Sequence, residues 1–274
     1  MEGAPPIVTL LSDFGTADYY VAALKGVLLR LAPGVTLVDL GHDVAPGDVE
    51  AAAWTLAAAA RWYPAGCVHL AVVDPGVGSG RRILAARAGG RGMEHRYVAP
   101  DNGLLTPILE SPGPIEVRSV ERDDLFLPGP GATFHGRDRF APVAAYLARG
   151  GDAAALGPAV ADAVRLATAA PRSEQGRLHG RVAHVDRFGN LVTDIPSAWL
   201  SGARLGAGCE VEVESGAERH TTRLAVTHYR QLPPGEAGVL PGSLGTLELS
   251  LDGASLADRW RVGRGARVSV RLGV

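Results

Sequence analysis

Residues 7–40, IVTLLSDFGTADYYVAALKGVLLRLAPGVTLVDL, decide the fold. Ile7–Leu11 is a continuous apolar run, the mark of a strand buried on both faces. Ser12-Asp13-Phe14-Gly15 breaks it. From about Asp18 to Leu31 the apolar positions Tyr20, Val21, Leu24, Val27, Leu28 and Leu31 recur at helical spacing, and Pro33-Gly34 ends the helix. Val35–Leu40 is again strand-like. The rhythm continues outward: Asp48–Trp62 reads as an alanine-rich helix closed by Pro64 and Gly66, and Val68–Val73 as a third strand ending at Asp74-Pro75-Gly76. Strand, helix, strand, helix, strand predicts a mainly parallel sheet flanked by helices.

Beyond Gly76 the pattern loosens. Ile83–Arg87, Tyr97–Ala99 and Ile115–Val120 are strand-like. Pro100-Asp101-Asn102-Gly103 is a turn opening a short helix, and Phe140–Arg149 is helical. From about 150 to 177 the chain is rich in Ala, Gly and Pro without periodicity. The reading is an α/β domain over 1–165, a linker over 166–177 and a second domain over 178–274. The second domain shows short strands at Arg181–Val185, Leu191–Thr193, Glu210–Glu214, Thr221–Thr227, Thr246–Leu251 and Arg267–Leu272, with little helix. That predicts a smaller antiparallel β-barrel.

The whole chain has 274 residues, long enough for one large domain or two modest ones. Its 27 basic and 29 acidic residues nearly cancel, so no strong field attracts nucleic acid or an anionic membrane. Lys25 is the single lysine, and arginine supplies the other basic side chains. Cys67 and Cys209 are too few and too distant for a disulfide framework or zinc cluster. The start MEGAPPIVTLLSDFG lacks the features of a signal peptide, and the apolar run at 51–60 is too short to span a bilayer. A cytoplasmic, soluble protein is expected.

In open α/β sheets, ligands bind beyond the carboxyl ends of the strands. Asp13, Asp39 and Asp74 fall at such ends, and His42 and Asp43 follow Asp39 closely, so acids crowd one rim. Each alone is a loop or cap residue; their convergence points to a site. The stretch DPGVGSGRR at 74–82 is glycine-rich. It lacks the Lys-Ser/Thr of a phosphate loop and the spacing of a dinucleotide fingerprint. Asp13, His42, Asp43, Asp74 and His135 are metal-ligand types without a recognised metal spacing, so no metal is assigned. His135 lies in TFHGRDRF at 133–140, beside a glycine that lets a ligand approach the backbone. In the second domain, Asp186, Phe188 and Asn190 fit either a turn or a purine pocket, with a ring for stacking and an amide for a base edge.

Taken in order, SDFG at 12–15, VVDPGVGSGRR at 72–82, APDNGLL at 99–105, FHGRD at 134–138, DRFGNLVTDI at 186–195 and GSLGTLEL at 242–249 span nearly the whole chain. The set resembles the S-adenosyl-L-methionine (SAM) hydroxide adenosyltransferases, relatives of fluorinase and chlorinase. The resemblance implies an N-terminal α/β domain, a C-terminal β-barrel, and a homotrimer with active sites between the first domain of one subunit and the second domain of the next. It implies hydrolysis of SAM to adenosine and L-methionine by hydroxide attack at ribose C5′, without a cofactor. By the same resemblance Asp74, Arg81 and His135 are catalytic, and Asp13 holds the ribose hydroxyls. Asp186 and Ser243 hold the amino-acid end, and Phe188 and Asn190 contact adenine. Gly136 stands where halogenating relatives carry a hydroxyl, and those relatives lack the acid that stands here as Asp74, so water rather than halide is the expected nucleophile. Gly47 replaces an aromatic and Leu244 a basic residue found in relatives.

Two other readings stay open on the residues alone. One is a metal-dependent nucleoside or phosphoester hydrolase using the rim carboxylates and His42. The other is a non-catalytic adenosine or SAM sensor.

Overall fold

The computed structural model describes residues 4–90, 92–128, 133–200 and 209–271, and the chain forms two compact units, Met1–Ala167 and Thr168–Val274. The first holds a six-stranded sheet of β1 (Ile7–Ser12), β2 (Thr36–Gly41), β3 (Val68–Val72), β4 (Ile83–Ala88), β5 (His95–Pro100) and β6 (Ile115–Ser119), ordered β2-β1-β3-β5-β4-β6. β1 runs parallel to β2 and β3, and β3 parallel to β5. β4 is antiparallel to both β5 and β6. The loop between β4 and β5 is too short for a crossover, so this end of the sheet can only reverse direction.

Helices cover both faces. α1 (Tyr20–Leu31) and α4 (Ala141–Ala148) pack over Leu10, Leu70, Val72 and Val98. α2 (Val49–Ala60) and α3 (Thr106–Leu109) pack over Leu11, Ala71, Val73 and Ala99. Because successive strand residues point to opposite faces, each continuous apolar run feeds both cores at once. Asp48 starts α2 by accepting the Ala51 N–H at 3.0 Å. The loop before α4 is a single turn of π-helix, Gly136–Phe140, with His135 at its head. The apolar periodicity over Phe140–Arg149 gives no sign of that turn.

The second unit is one antiparallel sheet of β7 (Arg172–Glu174), β8 (Arg177–Val185), β9 (Leu191–Pro196), β10 (Glu210–Ser215), β11 (Glu218–Thr222), β12 (Ala237–Pro241), β13 (Thr246–Leu251) and β14 (Arg267–Arg271). Its order is β11-β10-β14-β8-β9-β13-β12, with β7 added beside β8. The chain leaving β11 then bonds to β12: Thr222 Oγ1 donates to Ala237 O, Val226 N–H donates to Val239 O, and Val239 N–H donates to Leu224 O. The sheet therefore nearly closes on itself around Leu178, Val182, Ile195, Val211, Leu249 and Val268. An α/β fold followed by an antiparallel barrel-like sheet is what the sequence predicts.

Details differ. The strand expected at Thr221–Thr227 is β11, shifted to Glu218–Thr222, where cross-strand pairing with β10 sets the register rather than local alternation. β12 escapes a reading of AGVLP because Gly and Pro signal a turn, and β7 lies in the stretch read as linker, where RSE carries no apolar pattern. Leu272, expected at the end of the last strand, lies outside the described residues. The short helix α5 (Leu256–Trp260), capped by the Ser255 hydroxyl, was equally silent in the pattern.

Candidate active site

Three loops meet at the carboxyl end of the first sheet. The loop after β1 carries Asp13, the loop after β3 carries Asp74 and Arg81, and His135 heads the π turn. Phe14 and Phe134 meet edge to face with ring centroids 5.8 Å apart, joining the first and third loops. Gly136 fits between these rings: a Cβ there would lie 3.1 Å from Phe14 Cζ and 3.3 Å from Phe134 Cε2. The second loop joins the first through Gly47. Its N–H donates to Asp13 Oδ2 at 2.8 Å, and a Cβ on it would lie 3.7 Å from Pro75 Cβ. Gly47 has φ +75°, a conformation that favours glycine.

The turn after β3 folds back on itself. Val77 N–H donates to Asp74 O, Ser79 N–H to Gly76 O, and Ser79 Oγ to Gly76 O at 2.7 Å. The Val77 and Ser79 amides and the Ser79 hydroxyl are thus spent within the loop. The fold-back lays Arg81 over Asp74. Arg81 Nε donates to Asp74 Oδ1 at 2.9 Å and Oδ2 at 2.8 Å, and Nη2 closes on Oδ2. The pair is well buried, with side-chain exposures of 9% for Arg81 and 5% for Asp74. The Arg81 guanidinium also lies 5.0 Å over the Phe140 ring.

From the same guanidinium, Nη2 lies 3.0 Å from His135 Nδ1. Arginine only donates, so Nδ1 accepts, and the neutral ring carries its proton on Nε2. Among the described residues that Nε2 is buried with no hydrogen-bond partner. Burial pushes the His135 pKa below its ordinary 6.5, and the charges of Arg139 and Arg81 push the same way against Asp74 and Asp138. Asp74, Arg81 and His135, separated by up to sixty residues of sequence, are thus one connected chain of groups. It ends in an unspent donor.

Residues missed in the sequence support this rim. Arg82, next to Arg81, donates to Asp101 at 2.6 Å and to Asp162 at 2.8 Å, while Asp101 Oδ1 accepts the Val164 N–H. Asn102 Nδ2 donates to Val73 O at 2.9 Å and so ties the PDNG turn to the end of β3. The adjacent charges in GRR and the polar PDNG turn were the available signals. Among the described residues no group of three or more His, Cys, Asp or Glu side chains is arranged to hold a metal ion, and no helix is long and apolar enough to cross a membrane.

In the second unit, Asp186 organises its own loop. Oδ1 accepts the N–H groups of Phe188 and Asn190, and Oδ2 accepts Asn190 Nδ2 at 2.8 Å. Asn190 Oδ1 accepts the Ser250 hydroxyl at 2.6 Å. The Asn190 amide therefore keeps one N–H and one lone pair. Phe188 projects its ring into solvent at 76% exposure, and Ser243 is exposed in the turn between β12 and β13. One residue here was not anticipated. Glu248, buried inside the apolar run of β13, accepts the Tyr229 hydroxyl at 2.5 Å, and burial raises its pKa.

Known proteins resemble this chain over nearly its whole length. The model of the SAM hydroxide adenosyltransferase N-terminal domain matches residues 8–157, and that of the C-terminal domain matches residues 180–269. The chain is 39% identical over 272 residues to the (R)-S-adenosyl-L-methionine hydrolase of Salinispora tropica, covering 98% of each chain. It is 40% identical to the protein of that name from Thermus thermophilus, covering 90% of this chain and 92% of the other. It is 32% identical to the fluorinase of Actinoplanes sp., covering 97% of each. A crystal structure of an uncharacterized conserved protein from Thermotoga maritima superposes with a TM-score of 0.86 at 33% identity, covering 96% of this chain and 99% of that one. Two family models in their expected order and relatives matched nearly end to end lead to one conclusion: the chain belongs to the SAM hydroxide adenosyltransferase family.

Proposed function

We propose that this chain hydrolyses SAM to adenosine and L-methionine. Water attacks C5′ of the ribose: the O–C5′ bond forms, the C5′–S bond breaks with its electron pair going to sulfur, and the water gives up one proton. The observation that carries this reading is the buried Asp74–Arg81–His135 chain beyond the end of β3.

Water is a poor nucleophile with a pKa near 15.7, so the site must orient it and draw off its proton. Asp74 is the anion that accepts from the water, since each carboxylate oxygen keeps a lone pair beyond those facing Arg81. Arg81 fixes the direction of that carboxylate and offsets negative charge as the oxygen gains it. His135 offers its Nε2–H to the same oxygen. Hydroxide and sulfonium annihilate each other's charge as they react, so a site drier than water favours the transition state. Holding water in line behind C5′ contributes on the order of 7–11 kcal/mol through positioning alone.

Asp13 binds the ribose hydroxyls with the oxygen that Gly47 leaves open. Asp186 and Ser243 take the amino-acid end, and Phe188 and the remaining Asn190 groups take adenine. The resemblance further supports a homotrimer with sites at subunit interfaces, working in the cytoplasm with no cofactor. Incubation with SAM tests the reaction: adenosine and methionine should appear in equal amounts. Methylthioadenosine as the nucleoside product, or binding without turnover, would overturn it.

A further inference from the structure

One chain of polar groups, buried at Ser12 and His42 and open to solvent at Asp39 and Lys25, lies beside the proposed site without belonging to it. Lys25 Nζ donates to Asp39 Oδ2 at 2.6 Å. The other carboxylate oxygen, Oδ1, lies 3.1 Å from His42 Nε2, close enough for an ion pair though off the line of an ideal hydrogen bond. His42 Nδ1 lies 2.7 Å from Ser12 Oγ. Ser12 Oγ in turn accepts the Phe14 N–H at 3.3 Å, and the His42 carbonyl accepts the Gly15 N–H at 2.7 Å. The four side chains come from β1, α1, β2 and the residue after β2.

The proton directions follow from chemistry. Asp39 carries a carboxylate: burial raises its pKa, but the Lys25 hydrogen bond and the close His42 ring outweigh burial and hold it below the ordinary range. A carboxylate only accepts, so His42 presents its proton from Nε2 and its Nδ1 accepts from the Ser12 hydroxyl. With its proton committed to His42, the Ser12 oxygen keeps its lone pairs for the Phe14 N–H. Serine, histidine and aspartate in this order look like nucleophilic machinery. Ser12 is only 2% exposed and its oxygen faces its own loop backbone, so it has no substrate to attack.

A local irregularity in β2 builds the chain. Leu10 pairs with Asp39 but Leu11 pairs with Gly41, so one residue bulges between them. That bulge turns the end of β2 inward and buries His42 under the end of β1. Bulges that re-aim a side chain recur beside active sites.

We propose that Lys25, Asp39, His42 and Ser12 are positioning residues that fix the Ser12–Gly15 loop and thereby aim Asp13 at the ribose hydroxyls. The proposal rests on the reading of Asp13 given above. A loop held at Ser12 Oγ, Phe14 N–H and Gly15 N–H cannot rotate between those anchors, and Asp13 is the residue between them.

The test compares adenosine with 2′,3′-dideoxyadenosine by calorimetry on the full chain. The wild type should bind adenosine at least tenfold more tightly. Ser12→Ala and His42→Gln should shrink that ratio at least threefold while leaving dideoxyadenosine affinity unchanged, which also shows that the variants are folded. Ser12→Thr, which keeps the hydroxyl, should restore the ratio. Lys25→Gln, at the partly exposed end, provides a second variant that does not open the core and should shrink the ratio in the same direction. Equal weakening of both ligands, or an unchanged ratio in all variants, overturns the positioning role. A wild type that does not distinguish the two ligands overturns instead the reading of Asp13 on which that role depends.

Discussion

Asp74 carries the chemical burden at the level of single residues. Asp74→Asn keeps the volume and an acceptor but removes the charge that draws the proton from water. It should lower kcat by about 10²–10⁴-fold. Calorimetric binding of adenosine should change little, because Asp74 faces the nucleophile and not the nucleoside. His135 gives the pH dependence. Its pKa lies below 6.5, and its neutral form presents the Nε2 donor while Nδ1 accepts from Arg81. Protonation at low pH puts a proton on Nδ1, against the Arg81 charge. kcat/KM should therefore rise with pH on a limb whose midpoint lies below 6.5 and stay flat above it. His135→Gln should lose that limb. At Gly136 a side chain would press on Phe14 and Phe134, whose rings would have to give by a few tenths of an ångström to admit it. The Asp74–Arg81 contact could not be read from sequence spacing. It depends on Ser79 folding the loop back, and only the coincidence of an acid, a glycine-rich turn and two arginines hinted at it.

Among the elements, β1, β3 and β5 hold an internal polar cluster unrelated to catalysis. Thr9 Oγ1 lies 2.7 Å from His69 Nδ1, and the His69 ring stacks on Tyr97 and meets His95 edge to face. Burial, then the neighbouring His95, lowers the His69 pKa to about 3. The unfolded chain takes up a proton near 6.5 that the folded chain refuses, so the unfolded state binds more protons between those values. Stability should hold above pH 6.5 and fall as pH drops from there toward 3. Urea midpoints at pH 7, 5 and 4 measure this. His69→Leu should flatten the fall without abolishing it, because burial also lowers His95. The parallel core of the sheet was legible in the sequence because buried strands leave continuous apolar runs and their helices leave a 3.6-residue period. β7, β12 and the π turn were not legible, and β11 was legible only with shifted bounds, because pairing partners and loop packing define them rather than their own pattern. The contacts of Asp186 and Asn190 were half legible: the turn and the polar types were visible, but Ser250 as a partner was not.

For the molecule as a whole, the proposed chemistry needs only charges that the chain supplies. Exhaustive chelation should leave SAM turnover within about twofold of the untreated enzyme, as steady-state assays after dialysis can establish; loss of activity restored by a divalent metal would favour a metal-dependent hydrolase. Light scattering on the purified chain should give three times its own mass if the sites form at the subunit interfaces of a homotrimer. The near-balanced charge suits a small zwitterionic cation better than a polyanion. The central claim is that water is the nucleophile and C5′ the carbon attacked. Turnover of SAM in oxygen-18 water, followed by mass spectrometry of the nucleoside, tests it most directly. One heavy oxygen should appear in the 5′-hydroxyl of adenosine and none in methionine; adenosine without label, or label in methionine alone, would contradict the account.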